Sequence, residues 1–145
     1  MKQWMQSAYE QAQQAYRSSE VPVGAVLVKN GRITDSAHNL CKADSNPLNH
    51  AEMLLLYRAF EREKLLNLQD YELYVTLEPC PMCASAALTA GVSRIVFGAY
   101  DFDSGGLGGF VNTASHPSAK KTEIYGGIME KECTEILQRF FKELR

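Results

Sequence analysis

His50-Ala51-Glu52, followed at residues 79–83 by Pro79-Cys80-Pro81-Met82-Cys83, constrains this chain more than any other feature. One imidazole and two thiolates are three ligands that suit a zinc ion and leave a fourth tetrahedral position open. A carboxylate two residues after the histidine is poorly placed to ligate beside it, but it can face water at that open position. Any fold must therefore bring residue 50 against residues 80 and 83 and keep Glu52 close by. Cys80 and Cys83 stand roughly 300° apart around a helix of ~3.6 residues per turn, so both sulfurs can reach one ion. Proline is favoured at a first helical position, and Met82 to Leu88 is a helix-forming run. The sulfurs then fall at a helix N-terminus, where exposed N–H groups stabilise thiolates. His50 likewise opens an apolar, helix-favouring run from Ala51 to Phe60. Two helix N-termini facing one cation are unfavourable alone, but two thiolates and a hydroxide reverse the local sign.

Other uses of these residues fit less well. A closed structural zinc site wants a fourth protein ligand, and Cys41, Cys133, His38 and His116 are the only other Cys or His residues. None of them forms a second paired motif. A redox Cys-x-x-Cys leaves His50 and Glu52 without a role. The reading that uses every element is one zinc per chain, held by His50, Cys80 and Cys83, with Glu52 moving protons. Zinc on one neutral imidazole and two thiolates is formally neutral and polarises water less than a three-histidine site would. Glu52 compensates by taking the proton of the attacking water and returning it to the leaving side.

At 145 residues the chain has the length of one domain, residues 1–145, with a substantial core. A net charge of −2 does not advertise a nucleic-acid partner. Lys120-Lys121 and the tail residues Arg139, Lys142 and Arg145 are candidates for a local basic face, although solvated surface lysines are the commoner explanation for each. Residues 1–17 are polar and Gln-rich without the apolar stretch of a signal peptide, and no run approaches the ~20 apolar residues of a membrane span. Four cysteines, two of them assigned to metal, suit a reducing cytoplasm, with Cys41 and Cys133 as spare thiols.

The order of elements alternates. Trp4, Ala8, Ala12 and Ala15 predict an amphipathic helix over 2–17. Val21 to Val28 reads as a strand, Asn30-Gly31 as a two-residue hairpin turn, and Arg32 to Ala37 as its return. A polar loop over 39–49 precedes the first metal helix. Leu73–Leu77 and Arg94–Gly98 are buried-strand patterns flanking the second. The Gly-rich stretch 104–109 lacks the strand–helix context of a phosphate loop and reads as a plain loop. Thr122–Tyr125 is a short last strand, and Ile128, Cys133, Ile136, Leu137, Phe140 and Phe141 mark a closing helix. The expected fold is α/β: a three-layer α/β/α sandwich around a central mixed five-stranded sheet.

H-x-E followed by P-C-x-x-C is the documented signature of the zinc nucleobase deaminases, which replace an exocyclic amine at C4 of cytosine or C6 of adenine. Further stretches narrow the resemblance. Val21 to Val28, Asn46-Pro47 leading into His50, Leu73 to Cys80, Arg94 to Ala99, the Gly98-Ala99-Tyr100-Asp101 loop and the segment Gly127 to Phe141 resemble the bacterial tRNA adenosine deaminases, a branch of the cytidine deaminase-like superfamily. The resemblance spans nearly the whole chain. It implies a cytidine deaminase-like fold, a homodimer, and hydrolytic conversion of adenosine to inosine at the wobble position of a tRNA anticodon stem-loop, with the base flipped into the zinc pocket. It also implies that Asn39 hydrogen-bonds the target base, that Val23 lines the base pocket and that Asp101 lies near the substrate backbone. Without it, Asn39 reads equally as a turn cap, Val23 as core and Asp101 as a solvated loop residue. Phe140 or Phe141 would offer a stacking face to the anticodon loop, though such a pair is usually core. Leu48-Asn49 replaces the Thr-Ala usual before the first ligand, which would enlarge and polarise the pocket wall. The motif pair also admits a free-base or nucleoside deaminase acting on guanine, cytosine or a related ring, or a zinc-stabilised RNA-binding protein without catalysis.

Overall fold

The computed structural model describes residues 1–115, 117–119 and 121–144. In chain order the elements are α1 (Lys2–Arg17), β1 (Gly24–Lys29), β2 (Arg32–His38), α2 (Ala51–Glu63), β3 (Tyr71–Leu77), α3 (Pro81–Ala90), β4 (Arg94–Ala99), β5 (Glu123–Tyr125) and α4 (Glu130–Glu143), with two short 3₁₀ turns, Thr113–Ser115 and Pro117–Ala119, before β5. The five strands form one sheet in the order β2-β1-β3-β4-β5. β1 pairs antiparallel with β2 and β3, whereas β3, β4 and β5 run parallel. The sheet is therefore mixed, as a hairpin followed by crossovers requires.

Strand alternation sorts the core onto two faces. Ala25, Leu27, Leu73, Val75, Ile95 and Phe97 point to one side and pack with Leu55 and Ala59 of α2 and Ala87 and Leu88 of α3. Val26, Val28, Tyr74 and Val96 point to the other and pack with Met5 and Ala8 of α1 and Cys133 of α4. Both faces are covered, giving three layers. Each fully buried Leu, Ile or Val of the central strands contributes about 1.5–3 kcal/mol by leaving water. No helix among the described residues is long and apolar enough to cross a membrane.

The strand expected from Val21 begins instead at Gly24. Pro22 has no N–H to give a ladder, and Val23 turns its N–H back to the Val21 carbonyl at 2.8 Å. Gly24 then donates to Thr76 Oγ1 at 3.1 Å, which ties the strand start to β3. The hairpin turn follows expectation, with Asn30 at φ 52° and Gly31 at φ 71°, the left-handed pair that a two-residue turn demands. The return strand slips register between Leu27 and Val28, where Thr34 is left over as a bulge.

Gly24 is also where α1 lies closest to the sheet. A Cβ there would collide with the Ala8 carbonyl and the Ala12 backbone of α1. Gly24→Ala is expected to force the helix outward and destabilise the fold by about 3 kcal/mol. Urea unfolding monitored by circular dichroism checks this, with a lowered midpoint and little change in slope.

Candidate active site

Two helix starts and one strand end meet at the carboxyl edge of β3. His50 is the N-cap of α2, with extended dihedrals (φ −68°, ψ 152°). Its carbonyl accepts the Leu54 N–H at 3.1 Å, the first bond of the helix. Cys80 is the N-cap of α3, again extended (φ −65°, ψ 169°), and Pro81 takes the first helical position. Cys83 follows in the same turn and is fully buried. The parallel pair β3 and β4 ends beside this point, the usual place for a site on such a sheet.

His50 Nδ1 lies 3.6 Å from Cys80 Sγ and 3.4 Å from Cys83 Sγ. The three donor atoms all fall within 4.8 Å of one another. Tetrahedral zinc with ordinary Zn–N and Zn–S bonds places nitrogen and sulfur about 3.6 Å apart. The trio therefore fits a zinc-sized ion without rearrangement. Its electrostatics agree. A hydrogen bond from Cys83 leads in holding the Cys80 thiol down at about 4. The Cys83 thiol is pushed up, first by that same bond and then by burial. The His50 imidazole is raised, chiefly by its hydrogen bond with Cys80. These are three Lewis bases crowded together and sharing protons, a set that a divalent cation can replace those protons to bind.

Glu52 is 3 % exposed. Its Oε1 has no hydrogen-bond partner among the described residues. Burial pushes its carboxyl above the ordinary carboxylate range. A buried carboxylate oxygen costs free energy unless a hydrogen-bond donor satisfies it.

A cavity of about 270 Å³ opens over this cluster and is lined by Val23, Asn39, His50, Glu52, Cys80 and Asp101 among others. The structure thus gathers all seven residues singled out in the sequence around one point, with Cys83 beneath the floor. Asn39 is buried and its Oδ1 accepts the Ala51 N–H at 2.9 Å, so it does cap the start of α2. Val23 is buried and still forms wall. Asp101 Oδ1 accepts the N–H groups of Asp103 and Ser104 at 3.1 and 3.0 Å, capping its own turn at the cavity rim.

One expectation is overturned. Leu48 and Asn49 do not wall this cavity. Leu48 is 56 % exposed. It lines a separate surface hollow with Met53 and Tyr57. Asn49 Nδ2 is held by Asp44 Oδ2 at 2.7 Å, within the polar loop. The same loop is held at its other end by the buried Glu20 carboxylate, which accepts the Lys42 and Ala43 N–H groups at 3.0 and 2.7 Å.

Other residues went unread in the sequence. Cys41, expected to be a spare thiol, lines the cavity. Cys133 is buried in the core, where desolvation pushes its thiol to about 12. A groove of about 880 Å³ meets the cavity at Val21, Leu77, Asp101 and Ser104 and runs between the segment after β4 and α4. Tyr100 and Phe102 line it with rings stacked at 6.1 Å and 10°. Phe102 is 74 % exposed, a feature the Gly-rich context of the loop concealed. Of the two terminal phenylalanines, Phe140 is core and Phe141 lines the groove beside Lys142. Arg139 instead lies over the Tyr16 ring at 4.7 Å. Lys120, Arg145 and His116 lie outside the described residues.

The chain matches the MafB19-like deaminase family over residues 1–145. It is 41 % identical over 143 residues to the tRNA-specific adenosine deaminase of Bacillus subtilis, covering 98 % of this chain and 89 % of that one. A solved structure from a study of A-to-I editing by tRNA:A34 deaminases at the wobble position of transfer RNA superposes with a TM-score of 0.89 at 36 % identity, covering 94 % of this chain and 100 % of the other. A guanine deaminase from Nitrosomonas europaea shares the fold at a TM-score of 0.81 but only 17 % identity, over 96 % of this chain and 83 % of that one. A full-length family match, a close relative and a cytidine deaminase-like sheet agree, and this chain belongs to the MafB19-like deaminases and, among them, to the tRNA-specific adenosine deaminase family.

Proposed function

We propose that residues 1–145 form one zinc-dependent deaminase domain that converts adenosine to inosine at the wobble position of a tRNA anticodon, acting in the cytoplasm. The observation that carries this reading is a buried Glu52 with a partnerless oxygen beside a His50–Cys80–Cys83 cluster of zinc dimensions. Relatives named for tRNA-specific adenosine deamination supply the substrate class.

His50 Nδ1 and the two sulfurs would hold the ion. Zinc bound there supplies Lewis acidity that makes water a competent nucleophile near neutral pH. The chain itself does the rest. Glu52 takes a proton from the water that attacks C6 of adenine and gives it to the ring nitrogen. It then takes the proton of the hydroxyl now bonded to C6 and passes it to the C6 amine, so that the C6–N bond breaks, ammonia leaves and inosine remains. Its raised pKa favours this double duty, because a carboxyl that releases protons too readily is a poor acid near neutrality. Asn39 has its oxygen engaged by Ala51, which leaves its amide N–H₂ to donate to the base. Val23 packs against the ring, and Asp101 shapes the rim next to the substrate backbone. Tyr100, Phe102 and Phe141 offer faces on which flanking bases stack, with Lys142 for a phosphate.

The resemblance also supports a homodimer. Leu48 and Tyr57, 56 % and 68 % exposed beside the start of α2, are the apolar surface that a second copy would cover. Light scattering is expected to give twice the chain mass, and Tyr57→Asp should return the monomer.

Purified metal-loaded protein is expected to form inosine on an anticodon stem-loop with adenosine at the wobble position. Glu52→Ala should lose activity by about 10²–10⁴-fold, as removal of a general acid–base group does, while retaining one zinc per chain. Cys80→Ser and Cys83→Ser should instead lose the metal itself, read by atomic emission. Inosine from free adenosine or xanthine from guanine, with none from the stem-loop, would replace this reading with free-base or nucleoside deamination. Stem-loop binding without product from zinc-loaded protein would leave only an RNA-binding role.

Phe102→Ala and Phe141→Ala are each expected to raise KM for the stem-loop by roughly 5–150-fold, the range of one lost base–aromatic stack. Steady-state kinetics on stem-loops check this, with kcat little affected.

A further inference from the structure

Glu78 stands between the end of β3 and the Pro79-Cys80 turn and is 2 % exposed. Neither the donor cluster nor the proton transfer uses it, and no lysine or arginine among the described residues pairs with it. Three backbone groups satisfy it instead. Asp101 N–H donates to Oε1 at 3.2 Å, and Leu107 and Gly109 N–H donate to Oε2 at 3.0 and 2.9 Å. Gly105 and Gly109 let the backbone close around the carboxylate, since a Cβ on either would strike it and the Asp101 carbonyl. The same loop is fastened to the ligand turn through Gly106 N–H to the Pro79 carbonyl at 2.7 Å.

A satisfied buried carboxylate is often structural and nothing more. Here, however, the loop over 101–109 has no helix or strand of its own. Beside the backbone bonds within the loop and the Asp101 cap, one anion collects donors from both of its ends. The residues so placed include Asp101 and Ser104, where the site cavity meets the aromatic groove. Glutamine cannot substitute cleanly, because one of its two arms is a donor that would face incoming N–H groups.

We propose that Glu78 is a positioning residue of the substrate site: its carboxylate holds the Asp101–Gly109 loop as the wall that seats the RNA strand next to the target base. This rests on the reading of tRNA as the substrate. Glu78→Gln is the direct test, and Gly109→Ala disturbs the same contact from the loop side at a residue with an ordinary backbone conformation. Each is expected to raise KM for the anticodon stem-loop roughly tenfold, the loss of a charge-assisted hydrogen bond. The accompanying fall in kcat should be less than about threefold, with one zinc per chain retained. The double variant should be little worse than either single one, because both break one contact. Hydrogen exchange gives a readout independent of substrate. In the wild type the Asp101, Leu107 and Gly109 amides should be protected, and in Glu78→Gln they should exchange at least roughly tenfold faster while β3 and β4 stay protected.

Unprotected loop amides in the wild type overturn the proposal. So does a lower melting temperature with unchanged KM, which marks a purely structural residue, or a loss of zinc with unchanged KM, which assigns Glu78 to the metal site. A wild type that forms no inosine overturns the substrate reading and with it the seating of RNA, whereas loop amides protected in that protein and released in Glu78→Gln leave the holding of the loop by Glu78 standing.

Discussion

The convergence of two helix N-termini on one point is the constraint on which the rest of this protein depends. α2 and α3 both start at the site, and their cap residues, His50 and Cys80, carry two of the three atoms that could hold a metal ion. Unsatisfied N–H groups at a helix start carry partial positive charge, which favours thiolates and carboxylates there. The layout works because of the sheet between the helices. β3 runs through its centre and delivers Cys80 three residues after its last strand residue, while the polar loop after β2 delivers His50 from the antiparallel side.

Against this favourable field stands desolvation, and at Glu52 desolvation wins. A helix terminus stabilises a nearby anion by about 0.3–1 kcal/mol. Full burial of a carboxylate can raise its pKa by up to ~3–5 units, a larger energy of opposite sign. The net rise at Glu52 follows from that comparison. In the proposed role of proton carrier Glu52 would gain from it, since a group moving protons in both directions works best when it neither holds nor releases them too readily.

Two further buried carboxylates organise what surrounds the centre. Glu20 gathers N–H groups from the loop before α2, and Glu78 gathers them from the loop after β4. Both loops border the cavity and neither has regular structure to hold its shape. A carboxylate accepts several hydrogen bonds at once and so fixes an irregular backbone where a neutral side chain would leave donors unmatched. The result is a site with a rigid floor of helix starts and walls fixed by anions.

The approach of His50 to Cys80 and Cys83 with Glu52 beside them, the layer order and nearly every element were legible in the sequence, because each follows from local spacing. Periods near two and near 3.6 mark strands and helices, Asn30-Gly31 marks a turn, and Pro81 marks a helix start. Local chemistry, by contrast, could not tell which way Leu48 and Asn49 face, since that depends on how the irregular loop over 39–49 is folded and held. Nor could it separate Phe140 from Phe141, expose the Tyr100–Phe102 stack, or show that Glu78 sits inside a ring of N–H groups. The sequence by itself determined which chemistry this protein carries, through residue types at fixed intervals. Only the tertiary structure decided where that chemistry meets its substrate, because cavity walls are built from residues far apart in the chain whose orientation is set by packing and by shared hydrogen bonds.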